Sequence, residues 1–465
     1  MQIAKHGEGH ASPTLITQFS PIGWSFVAAI LVILLLWSPV SSAGPFDTVK
    51  ESVLDNGLKI LTVENHTSPT ATIQVWYKVG SRNETQDISG VSHILEHMMF
   101  KGTEKHPTGD FDKIVQMNGM ENNAFTSHDF TCYYENLASD RLEVAMELEA
   151  DRMQGTIFPE EEFQSEMGVI RNERRQVLED PPFGRLNEQV NACVFSAHSY
   201  RWPVLGWMSV LETITSDEVR NYYNNYYRPN NATLVVVGDV THDEVVKLAK
   251  KTFGKVPRGP EVHKVDVVEP EQMGEKIVYV NKEAQLPGLI ISFHAPKCDT
   301  YETKVLQVME NLLFTGESSR AFRACVYDNP LALGVGGGIY FRTDPSTFSI
   351  QAMCQPGTTA ETLRDSILVL LEDLKENPVP EDELQKAKNQ LLADEMFSQA
   401  MNEEIGYRLG AWESRTSWKH AVSFADDCLK VTPEDIQRVA REIFTSKNRT
   451  VGILVPEPPE VAEAN

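Results

Sequence analysis

The second half of this chain repeats the first, and that constrains its fold more than any other feature. His93-Ile-Leu-Glu-His97-Met-Met-Phe-Lys-Gly102 lies over Gln307-Val-Met-Glu-Asn311-Leu-Leu-Phe-Thr-Gly316. Thr215-Ser-Asp-Glu-Val219 matches Thr432-Pro-Glu-Asp-Ile436, and Asn231-Ala-Thr-Leu-Val-Val-Val237 matches Asn448-Arg-Thr-Val-Gly-Ile-Leu454. The offsets, 214 and 217 residues, are domain-sized rather than solenoid-sized. A chain of 465 residues is too long for a single core, so two domains of one fold are expected. Strand-like runs such as Ile73–Val79 and Leu234–Val237 alternate with helical periodicity, which gives each domain both elements. The Pro-, Gly- and charge-rich stretch from Gly254 to Pro270 reads as the connection. The expected division is 44–258, a linker at 259–272, and 273–465.

Residues 1–43 read as a targeting segment. Gly23 to Trp37 is an uncharged apolar run, and Ser41 and Ala43 suit signal-peptidase cleavage after Ala43. The run is shorter than the roughly 20 residues of a membrane span. The expectation is an exported protein, periplasmic or secreted, with residues 23–40 as an inner-membrane anchor if the leader is retained. The net charge of −24 argues against a nucleic-acid partner, because phosphate would be repelled. The six cysteines form no CxxC pair, and several sit in apolar strand-like stretches, which favours buried free thiols.

The chemistry concentrates at His93, Glu96 and His97. Positions i and i+4 of a helix share one face, so both imidazoles can reach one metal ion, with Glu96 one step round. This HxxEH order is the reverse of the commoner HExxH. Val91, Ile94, Leu95, Met98 and Met99 form an apolar stripe behind it, Gly90 precedes it, and Gly102 suits a C-terminal cap. The second half has Gln307 and Asn311 in place of the histidines; amides are poor zinc ligands, so only the first half can form the site. A catalytic zinc needs a third protein ligand. The helical stretch Phe163–Val177 offers Glu166 and Glu173, two turns apart on one face. Either can bind metal while the other orients a ligand.

These features, with Met98-Met-Phe-Lys-Gly-Thr103, Gly168-Val-Ile-Arg-Asn-Glu173, Trp202-Pro-Val-Leu-Gly-Trp207 and Tyr227–Asp239, resemble the insulinase/pitrilysin family of inverted-motif zinc peptidases, in its smaller, mitochondrial-processing-peptidase-like bacterial branch. The resemblance runs from about Val53 to Pro456. It implies an α+β fold of two homologous domains, each a mixed, mainly antiparallel sheet packed with helices. It implies one Zn2+ per chain held by His93, His97 and Glu173, with Glu166 supporting them and Glu96 as general base. It also implies that Asn123 and Ala124 lie on an edge strand that pairs with the backbone of a peptide substrate.

One departure concerns the second domain, where active relatives carry an Arg and a Tyr seven residues apart to hold the substrate carbonyl. Here those positions are Val326 and Leu333, and neither side chain can donate a hydrogen bond. Tyr327, Tyr340 and Arg342 are nearby donors. The expectation is therefore a zinc endopeptidase that forms a homo- or heterodimer with a related subunit carrying the pair. The alternative is a non-catalytic core or assembly subunit of a processing-peptidase-like complex.

Overall fold

The computed structural model describes residues 45–458. The expected leader, cleavage site and anchor lie outside them, and among the described residues no helix is long and apolar enough to cross a membrane.

Among the described residues, eleven strands build two sheets. In the first, β1 (Lys50–Val53), β2 (Lys59–Glu64), β3 (Thr70–Tyr77), β4 (Glu121–Thr126), β5 (Thr131–Ala138) and β6 (Ala232–Gly238) run in the order β1-β2-β6-β3-β5-β4. The second contains β7 (Lys276–Glu283), β8 (Gly288–Ala295), β9 (Ala332–Ile339), β10 (Ser346–Cys354) and β11 (Arg449–Glu457), in the order β7-β11-β8-β10-β9. Leaving out β1, the two orders correspond strand for strand. Each sheet has one parallel pair, β2 with β6 and β7 with β11, and is otherwise antiparallel. The duplication read from the residues is thus a duplication of topology, and the fold is α+β with two mixed, mainly antiparallel sheets.

Both faces of the central strands are covered, which explains why β6 (ATLVVVG) reads as a continuous apolar run and is buried throughout. Leu234 and Val236 join the core under the first half's helices, while Val235 and Val237 join the core shared with the second half. That second face is covered by an exchange of helices. Three helices matter most in the first half: α1 (Val91–Met98), α2 (Glu160–Arg174) and α3 (Pro182–Val194). Their second-half partners are α4 (Tyr301–Phe314), α5 (Glu381–Ser398) and α6 (Asn402–Arg415). Helix α3 leaves its own sheet and lays Leu186, Val190 and Val194 against Val280, Ile290 and Leu454 of the second. Helix α6 returns the exchange on β3 and β6 of the first sheet. The approach is close: a Cβ at Gly410 would lie 2.1 Å from the Trp76 indole.

The connection between the sheets, 257–273, has no helix or strand, yet it is tied down: Glu269 accepts the backbone N–H groups of Ser196, Ala197 and His198. All six cysteines are free thiols; Cys193 is half-buried and the other five are buried.

Candidate metal centre

Helix α1 is short and has no side-chain cap of its own, because its N-cap is Gly90 at φ 95°. Glu84 does that work from six residues upstream. Its carboxylate accepts the backbone N–H of Gly90 at 2.7 Å and of Ser92 at 2.9 Å, an acid at the positive end of the helix. Burial pushes Glu84 up to about 7, against the pull of those two hydrogen bonds. The Trp202–Trp207 segment buttresses the same end, where Gly206 packs so closely that a Cβ there would lie 2.2 Å from Ser89 O. At the other end the helix stops at Met98, short of the expected cap at Gly102. Phe100 and Lys101 donate to His97 O and Met98 O in tighter three-residue turns, and Gly102, at φ 103°, serves the loop that follows.

The stripe of Val91, Ile94, Leu95 and Met98 is buried beneath the first sheet, which turns His93, Glu96 and His97 towards α2. Glu173, near the end of α2, approaches them: its Oε2 lies 3.7 Å from His93 Nε2 and 3.4 Å from His97 Nε2. One ligand atom from each of the three residues falls within 4.8 Å of the others. A tetrahedral zinc with bonds of about 2.1 Å sets its donors about 3.4 Å apart, so the two nitrogens and one oxygen fit that ion. Burial and the neighbouring His97 push His93 down to about 3, which keeps its imidazole neutral with a lone pair to offer. The Glu173 side chain remains 38% exposed, so the site opens to solvent on that side.

The two acids of α2 separate their tasks by position. Glu166 is buried, with Oε1 2.7 Å from His97 Nδ1 and Oε2 2.5 Å from Lys101 Nζ. Burial alone would raise its carboxyl, but the bonds from Lys101 and His97 prevail and hold it below the usual range. Receiving His97 Nδ1–H leaves Nε2 as that ring's acceptor, the orientation a ligand requires. His93 Nδ1 is buried without a hydrogen-bond partner. Glu96 takes no part in the three-ligand cluster. Burial raises its carboxyl, and its Oε2 accepts the Thr126 hydroxyl at 2.5 Å.

Asn123 and Ala124 lie on β4, the free edge of the first sheet. The Ala124 N–H donates to Asn123 Oδ1 at 2.9 Å, so it points away from β5 and towards the open edge. Thr126, Lys101 and Glu84 were not legible as members of this site, because each reaches it through a fold contact.

The second half retains the layout without the histidines. Gln307, Asn311 and Asp394 line a cavity of about 440 Å³ together with Tyr340, Tyr407 and Trp412. Of the donors near Val326 and Leu333, Arg342 stacks on Tyr200 and Tyr340, with centroids 4.5 and 5.4 Å away, while Tyr327 is exposed beside Arg323.

The family model described as insulinase (peptidase family M16) matches residues 59–206, and that of the peptidase M16 inactive domain matches 213–391. The zinc protease PqqE of Helicobacter pylori is 31% identical over 412 residues, covering 87% of this chain and 93% of that protein. The uncharacterized zinc protease YmxG of Bacillus subtilis is 28% identical over 402 residues, covering 85% and 96%. A crystal structure of a protease from Helicobacter pylori superposes with a TM-score of 0.85 at 29% identity, covering 88% of this chain and 99% of that one. With these matches and its duplicated sheets, the chain belongs to the insulinase (M16) family of peptidases.

Proposed function

We propose that this chain is a zinc-dependent endopeptidase acting on peptides or unfolded polypeptides, with Glu96 as general base. The observation that carries the reading is the convergence of His93, His97 and Glu173 beside a glutamate that is not needed as a ligand. Zinc, when bound, supplies Lewis acidity to the scissile carbonyl and to the attacking water. Glu96 takes the proton from that water and delivers it to the leaving amine. Glu166, braced by Lys101, holds the His97 ring in place. The edge of β4, with the outward Ala124 N–H and the Asn123 side chain, receives the peptide backbone as an added strand, so affinity depends little on substrate sequence.

A related subunit that carries the carbonyl-holding Arg and Tyr supplies them in place of Val326 and Leu333. The exposure of Leu333 on the outer strand β9 of the second sheet supports that reading. The leader supports export to the periplasm or beyond, where peptide substrates are met.

Zinc analysis combined with cleavage of a quenched peptide tests the reading. The expected result is about one zinc per chain, activity lost to a chelator and restored by zinc, and a Glu96→Gln variant that keeps zinc without turnover. A zinc-free wild-type protein, or a Glu96→Gln variant cleaving at the wild-type rate, would overturn it. Full activity of the isolated monomer would remove the need for a second subunit.

A further inference from the structure

We infer that Thr126 is a positioning residue for the general base: its hydroxyl, on the strand that takes the substrate, aims the Glu96 carboxylate. The inference rests on the reading of Glu96 as that base. Thr126 ends β4 and pairs with Thr131 across the hairpin, so its backbone is held by the sheet while its side chain crosses to α1. The 2.5 Å bond from Oγ1 to Glu96 Oε2 occupies one oxygen of the carboxylate. A hydroxyl donor so placed removes rotation about the last side-chain torsion and leaves Oε1 to exchange the proton. When Glu96 is protonated, the proton sits on Oε1 and Thr126 still donates to Oε2, so one geometry serves both transfers.

The duplicated half provides an internal contrast. Glu310 stands at the helix position of Glu96, but its carboxylate accepts the Ile339 backbone N–H at 3.0 Å and a bond from the Gln307 side chain. It fills the space beside Gly338, where a Cβ would lie 2.2 Å from the carboxylate oxygen. That glutamate is locked inward by backbone. The glutamate beside the metal ligands is instead held by a side-chain hydroxyl, on the edge strand two residues from Ala124. Peptide pairing along β4 would therefore steady the strand that steadies the base, linking substrate binding to proton transfer.

The test compares Thr126→Val, which keeps the shape and β-propensity but loses the hydroxyl, with Thr126→Ser, which restores it. Zinc content, kcat and KM are measured on the full chain. Binding of a peptide hydroxamate is measured by calorimetry, a readout that needs the carboxylate to accept a proton but needs no turnover. The expected result for Thr126→Val is unchanged zinc content, KM within about twofold, and a loss of about 10- to 100-fold in kcat and in hydroxamate affinity, the scale of one hydrogen bond to a charged group. Thr126→Ser should recover most of both. Wild-type hydroxamate affinity in Thr126→Val, equal losses in both variants, or lost zinc would each overturn the inference. Glu96→Gln, run in parallel, separates the two readings: if it is inactive while Thr126→Val behaves as wild type, only the positioning role fails, whereas an active Glu96→Gln removes the base itself.

Discussion

His97 and Glu166 are joined by a 2.7 Å bond from Nδ1 to Oε1, and Lys101 closes on the other carboxylate oxygen. The relay ties the loop after α1 to the middle of α2, so the ligand orientation is set by two elements at once. Removing Glu166 should therefore cost metal affinity more than fold. We expect Glu166→Ala to weaken zinc binding by about 10- to 100-fold, measured by chelator competition, with a change in melting temperature of only a few degrees. An unchanged zinc affinity would show that the bond is incidental.

Glu84 makes stability depend on pH. Its folded carboxyl is raised from 4.5 to about 7, chiefly by burial. A raised acid contributes stability that is complete below pH 4.5 and is lost as pH rises through about 7, here on the order of 3 kcal/mol. The difference in unfolding free energy between wild type and Glu84→Gln should therefore shrink from pH 4.5 to 7 and level off above it. Parallel urea titrations across that range measure it, and a flat difference would place the Glu84 carboxyl in its ordinary range.

Ala124→Pro probes the substrate edge. The Ala124 N–H bonds to Asn123 Oδ1 and is not part of the ladder to β5, so an edge proline costs the sheet little. What it removes is a donor to an added peptide strand. KM should rise about tenfold while zinc content holds, the scale of one backbone hydrogen bond. If KM did not move, peptides would bind elsewhere.

Gly410→Ala tests the helix exchange. A Cβ there would meet the buried Trp76 indole at 2.1 Å, with no free volume to receive it. Overpacking of this kind should cost roughly 1–3 kcal/mol in chemical denaturation, against the small gain that alanine brings to an exposed helix. A stabilised variant would mean that α6 does not press on the first sheet.

Much of this was legible in the residues. The apolar stripe of α1 and the spacing of His93 and His97 depend on local periodicity, the repeat on matching residues 214 and 217 apart, and the α+β fold on the family resemblance. Several cysteines were read in strand-like runs; Cys132 and Cys354 do lie on strands, Cys193, Cys325 and Cys428 lie on helical turns, and all six are unpaired. The cap of α1 was read at Gly102, whereas the helix is capped at Met99, because a glycine signals a left-handed residue without saying which turn will use it.

The choice between Glu166 and Glu173 marks the limit. Both stand on one face of one helix, and their spacing alone leaves either able to bind metal. The fold separates them by where each falls along α2: Glu166 meets Nδ1 of His97, and Glu173 meets Nε2 of both histidines. Thr126, Lys101 and Glu84 lay further out of reach, since each joins the site across a turn or between separate elements. Sequence by itself determined which half of this chain can hold a metal, because that depends on residue identity. Only the tertiary structure decided how the acids divide the work, because that depends on directions and distances between elements that no spacing along one chain encodes.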